Sequence, residues 1–228
     1  MEHTAGSLRV PRTPREVREF FNNGTDVARI EFFSDAVFAI AITLLALEIK
    51  IPETPHHADN ATVLAALGSL GRILFSYVFS FALIGMQWIR HHALFRLIRR
   101  HDLPLLLLNM LGLMFVTLVP LPTSLYGNHI SSPVAVAVFY GFHTLTALIW
   151  VAMWVYASSK NRLVAPELPK SVVRFVTMQQ CAPAITMGCG MVGVLLGGVQ
   201  FGAIAILLGV MVSRVVLMRM GRPSRADA

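Results

Sequence analysis

Charge is what this sequence has least of. Asp, Glu, Lys and Arg together make up 14% of its 228 residues, while 55% are hydrophobic and the mean hydropathy is +0.65. That balance excludes an ordinary soluble domain and places the chain among polytopic membrane proteins. Cysteine is nearly absent. Cys181 and Cys189 stand eight residues apart in one apolar segment, more than two helical turns, so they cannot pair and read as packing residues. Also missing are a glycine-rich phosphate loop, a nucleophile elbow, an HExxH motif and paired carboxylates inside the apolar stretches, so no enzyme is expected. No cofactor or metal site is expected either: His56 and His57 have no third ligand nearby and read as a solvated loop.

Acidic residues are outnumbered 12 to 19 by Lys and Arg, a net charge of +7. Position argues against a nucleic-acid partner, because the basic residues lie between apolar spans, where membrane orientation accounts for them. Hydropathy predicts an all-α polytopic protein of six spans: one from Arg29 to Lys50, then about Leu67–Gln87, Pro104–Pro120, Val134–Tyr156, Val172–Leu196 and Phe201–Met218. Residues 1–28 carry Arg9, Arg12, Arg15 and Arg18 among prolines and acids and read as a partly disordered cytosolic arm, with 220–228 a short tail and 29–219 the membrane domain. The first apolar run starts too late for a secretory signal peptide and lacks a cleavage site. The basic segments at the N-terminus, 90–100, 160–174 and 214–225 alternate with loops at 51–65, 122–133 and 197–200 that carry no Lys or Arg. Only six spans with both termini in the cytosol put every basic segment on the inner side of the cell membrane.

The chain is organised around Arg29 to Lys50. From Phe38 to Leu47 there is no charge, glycine or proline, so a helix can propagate with every backbone group satisfied internally. Ile40, Leu44 and Leu47 make one branched stripe, and Ala36, Ala39, Thr43 and Ala46 an adjacent stripe of small side chains that lets another helix approach. Arg29, Ser34 and Asp35 form a candidate polar cluster at the membrane boundary, since an ionisable residue there is costly without partners. On spacing alone, the stripe reads first as lipid-facing or core, and Asp35 as a helix cap.

The block Arg29-Ile-Glu-Phe-Phe33-Ser34-Asp35, running into that helix, resembles the RxxxFSD signature of the transmembrane protein 175 family of potassium-permeable channels. Trp88-Ile-Arg-His91-His92-Ala-Leu-Phe95 resembles the family's WxxHHxxF segment, and Asn109 with Val119-Pro120-Leu-Pro-Thr123 its third block; Leu121 departs from the aromatic common there. The resemblance implies a homotetramer of six-helix subunits in the plasma membrane, first helices lining a central pore; animal members carry two repeats per chain and dimerise. Carried over by position, Ile40, Thr43, Leu44 and Leu47 would face the axis, with Ile40 at the narrowest point, and K⁺ would be the permeant ion. The chain has one FSD block and no TVGYG-type carbonyl filter, so a pathway needs several subunits, and a hydrophobic ring can gate by dewetting.

Arg29, Ser34 and Asp35 are further expected to hydrogen-bond with Trp88 and with His91 or His92, because the first two spans end at the same face. The runner-up is a small secondary transporter or proton-coupled carrier, to which only His143 and Pro183 point. Elsewhere, Gln87, Gln179, Gln180 and Gln200 read as span-end residues satisfied by interfacial water, and Trp150, Trp154 and Tyr156 as an aromatic belt. The run Gly188 to Gly198 reads as a packing seam, with Pro183 a kink in the same span.

Overall fold

A computed structural model describes residues 27–49 and 59–220, together with Thr13, Pro14 and His57. The rest of the arm before Val27, the tail after Met220, Lys50 and His56 lie outside the described residues. From Val27 to Met220, among the described residues, seven α-helices follow one another: α1 (Val27–Leu44), α2 (Asn60–Phe95), α3 (Leu103–Thr117), α4 (Pro120–Asn128), α5 (Pro133–Ser158), α6 (Lys170–Gly197) and α7 (Val199–Met220). With α3 and α4 counted as one broken span, they make six spans long and apolar enough to cross a membrane. The protein is thus an all-α, six-span membrane protein.

Several ends differ from the hydropathy reading, each for a local reason. The first helix does not continue as α-helix through Leu47 but tightens into a 3₁₀ turn over Leu45–Glu48, and Ile49 is extended. The second runs well beyond Leu67–Gln87 at both ends. Asp59 caps its start by accepting from the Thr62 backbone N–H at 3.0 Å, while its other end stays helical past Arg90 because the histidines there have partners on neighbouring helices. At 36 residues it is about 54 Å long, more than a hydrocarbon core requires. The third span does not stop at Pro120. It breaks around Leu118 and restarts, because a proline in the first turn of a helix lacks only an N–H that would have had no helical partner.

Helix α5 is the central post. It packs on α3, α4 and α6, and α7 packs along α6. Pro183 lies inside α6, which remains helical across it. The α6–α7 connection is a hairpin through Gly198, whose φ of +82° lies in the left-handed region. Beside it, a side chain on Gly193 would come 2.9 Å from the Phe201 carbonyl, so the glycine run is a close α6–α7 seam. The main core, at the basic end, gathers Phe38, Leu94, Phe95, Leu105, Val116, Met153 and Trp154.

The tryptophans of α5 do not form a belt. Trp150 and Trp154 are buried, their indole N–H groups donating to Gln87 Oε1 (3.4 Å) and Thr177 Oγ1 (2.9 Å). Tyr156 donates its hydroxyl to Asp102 Oδ2 at 2.6 Å, and Asp102 also caps α3 and pairs with Arg162 at 3.4 Å. Gln87 and Gln180 lie well inside their helices, two and three turns from the ends. A short antiparallel bridge, Ile98 with Val164, ties the α2–α3 loop to the α5–α6 loop, reinforced by the Arg99 and Arg100 N–H groups on the Leu163 carbonyl.

Candidate pore face and the polar network behind it

Helix α1 has two unlike faces. Val27, Ile30, Ser34, Phe38, Ala41 and Leu45 recur at three- and four-residue steps and are buried against α2 and α3. Turned away from them, Arg29, Phe33, Ala36, Ile40, Thr43, Leu44 and Leu47 are exposed on the single subunit, Ile40 by 56% and Leu47 by 72%. Thr43 donates its hydroxyl to the Ile40 carbonyl of its own helix at 3.0 Å. Its oxygen therefore presents lone pairs, not a proton, to that exposed face.

The buried face carries a directed chain of hydrogen bonds. Ser34 donates to the Ile30 carbonyl (2.8 Å), which leaves Oγ as the acceptor for Asn109 Nδ2 (3.0 Å); Asn109 Oδ1 is then the acceptor for His91 Nε2 (2.8 Å). Each step fixes the next, so His91 carries its proton on Nε2. The chain joins α1, α3 and α2 through groups nearly removed from solvent, Asn109 being 1% exposed. His91 is packed among rings, stacked on Phe95 at 4.4 Å and edge-on to Trp150 at 5.1 Å.

A second pair of contacts lies beside this hydrogen-bond chain. Trp88 donates its indole N–H to Asp35 Oδ1 at 2.8 Å, and His92 Nδ1 lies 2.8 Å from Glu31 Oε1 while its ring stacks on Trp88. The ligating atoms of Glu31, Asp35 and His92 come within 4.8 Å of one another. Of the two acids, Asp35 accepts a hydrogen bond from Trp88, whereas Glu31 and His92 meet at ion-pair distance without hydrogen-bond geometry.

The sequence-derived cluster is thus divided. Ser34 and His91 meet only through Asn109, Asp35 takes Trp88, and His92 takes Glu31. Arg29 joins neither and makes no hydrogen bond or ion pair among the described residues. Five residues separate Arg29 from Ser34, about 140° around a helix, which sets it on the exposed face beside Phe33. Asn109 and Glu31 were not picked out as network residues. Their signal was present, since both are polar in or beside apolar runs, but their partners lie on other helices.

The chain is 37% identical over 158 residues to a potassium channel of Chamaesiphon minutus, covering 68% of this chain and 77% of the relative. It belongs to the TMEM175 family. The family described as endosomal/lysosomal potassium channel TMEM175 matches residues 29–120, from the start of α1 to the break between α3 and α4. A potassium channel of Streptomyces collinus is 39% identical over 151 residues, 64% of this chain and 71% of the relative. The bovine endosomal/lysosomal proton channel TMEM175 is 44% identical over 98 residues, 41% of this chain and 20% of that longer protein. Among solved structures, a lysosomal potassium-selective channel TMEM175 homolog from Chamaesiphon minutus superposes with a TM-score of 0.64 at 30% identity, covering 86% of this chain and 97% of that one. TMEM175 family members are ion channels, not enzymes, and this chain is a multi-pass bacterial-type member of the family.

Proposed function

We propose that this TMEM175-family cation channel is potassium-permeable and works as a homotetramer, with four α1 helices around a central axis. Ile40, Leu44 and Leu47 form the constriction, Thr43 lies beside it, and no carbonyl filter takes part. The observation that carries this reading is the exposed face of α1. Branched apolar and small side chains there have no partner within the subunit, while the opposite face is buried and hydrogen-bonded. One helix encloses nothing, so a pathway along it needs symmetry-related copies. A ring of four isoleucines passes an ion only when a wetted state is reached, and it favours the ion that holds its water less tightly. K⁺ is that ion relative to Na⁺.

The paired contacts of Ser34, Asn109 and His91, and of Asp35 and Trp88, hold α1 against α2 and α3 at a fixed rotation. That rotation decides which side chains reach the axis. Both termini are assigned to the cytosolic side of the plasma membrane, from the alternation of basic loops. The test is ion flux into liposomes holding the purified protein. Rapid, non-saturating K⁺ flux that falls when Na⁺ is substituted is expected, with Ile40→Asn moving the reversal potential towards that of a non-selective pore. Saturable flux, or flux only with a proton gradient, would replace the channel with a carrier; an unchanged reversal potential in Ile40→Asn would remove that residue from the constriction.

A further inference from the structure

Between the basic half of α2 and the middle of α6, with α5 behind them, lies a cavity of about 100 Å³ that the channel reading does not use. α2 and α6 do not pack closely on each other, and the half-exposed Met86 marks an opening at the side of the bundle. Its polar lining comprises the Arg90 cation, the buried His91 and His143 rings, the Trp150 indole and the amides of Gln87 and Gln180. Arg90 has no carboxylate within 4.0 Å among the described residues. His143 is 6% exposed with Nε2 unpaired, and Gln180, equally buried, makes no hydrogen bond among the described residues. Gln87 accepts from Trp150 and so keeps its amide N–H groups free. No acidic side chain lines the space, and Leu83, Met86, Leu94 and Met187 complete it with apolar surface.

Unpaired buried donors beside an unpaired guanidinium are costly unless something accepts from them. We propose that this cavity binds the phosphate of an anionic membrane phospholipid, Arg90 pairing with the phosphate and His143, Gln180 and Gln87 donating to its remaining oxygens. Arg90 is five residues before the end of α2, about 8 Å along the axis, at the end of the bundle where the basic loops gather. The lateral opening and apolar rim admit a molecule whose chains remain in the bilayer, and basic pockets between spans are a known way of holding anionic headgroups. Guanidinium supplies the forked donors that phosphate geometry takes. Arg90 also disfavours the cationic end of a zwitterionic lipid.

Lipid retention tests this without reference to ion flux, so its failure and that of the channel reading are separate results. The full-length protein, purified from vesicles of phosphatidylcholine with phosphatidylglycerol, is analysed by native mass spectrometry. Expected are one phosphatidylglycerol retained per chain in preference to phosphatidylcholine, about tenfold weaker retention in Arg90→Gln, an intermediate value in Arg90→Lys, and a smaller loss in Gln180→Leu. Equal retention of the two lipids, or an Arg90→Gln protein that holds phosphatidylglycerol like the parent, would overturn the proposal. Displacement of the lipid by millimolar inorganic phosphate would also overturn it, in favour of a free-anion site. Should Arg90→Gln fail to fold, Gln180→Leu decides: unaltered retention counts against the site.

Discussion

Asn109→Leu tests whether the buried hydrogen-bond chain holds the first helix in place. The substitution keeps nearly the same volume, so little cavity forms, but it removes the acceptor of His91 Nε2 and the donor to Ser34 Oγ at once. Hydrogen bonds between membrane helices average about 0.6 kcal/mol each, so the two bonds themselves account for only about 1.2 kcal/mol. The larger contribution is the imidazole N–H left without an acceptor in a ring-lined site, which costs about 1–3 kcal/mol. Together the loss is about 2–4 kcal/mol, and at ~2–4 °C per kcal/mol for a chain of this size Tm in detergent should fall by about 4–16 °C. His91→Phe on the same background removes the stranded donor while keeping the ring contacts with Phe95 and Trp150, so the double variant should regain much of the stability. Thermal unfolding of parent, both single variants and the double variant gives the coupling energy. Loss of less than about 1 °C in Asn109→Leu, or strict additivity in the double variant, would refute the reasoning.

Asp35→Ala strands the Trp88 indole and should weaken the proposed tetramer more than it alters the proposed K⁺/Na⁺ preference; an unaltered oligomer on gel filtration would count against that role. Asp102→Ala removes the α3 cap and the acceptor of the Tyr156 hydroxyl, and should cost about 2 kcal/mol in thermal unfolding, whereas Asp102→Asn should cost less. Gly112 lies flat against the Trp150 indole, so Gly112→Ala must displace that ring and should destabilise by about 1–3 kcal/mol. Thr62, by its side chain and then its backbone N–H, holds the Asp59 carboxyl below its ordinary 3.8. Because the folded value is the lower one, the capping contribution is complete above 3.8 and is lost as pH falls through the depressed native value. Amide protection at residues 61–63, corrected for intrinsic exchange, should therefore fall in acid in the parent and be low above and below that range in Asp59→Ala.

What was readable locally was the number of spans, because length and apolarity in each segment are local properties and the bilayer allows little besides helix for them. Helix ends were less readable. The true extent of α2 depends on Asn109 and Glu31, whose partnership lets His91 and His92 stay helical, and the continuation of α3 into α4 depends on prolines falling in a first turn, not in a helix interior. Trp150 and Trp154 show the same limit. Aromatic residues near a span end belong to an interfacial belt only if they face outward, and α5 turns these inward against α2, α3 and α6.

By itself, then, the order of residues determined composition class, the six apolar spans, the alternation of basic loops and the two local motifs, since each depends only on neighbours along the chain. Only the tertiary structure decided the pairings: that Ser34 reaches His91 through Asn109, that Asp35 takes Trp88 and Glu31 takes His92, and that Arg29 is left on the open face. It also decided that Arg90, His143 and Gln180, from three helices, surround one cavity. Helical periodicity assigns a side chain to a face, but which helix lies opposite is set by packing between segments tens of residues apart.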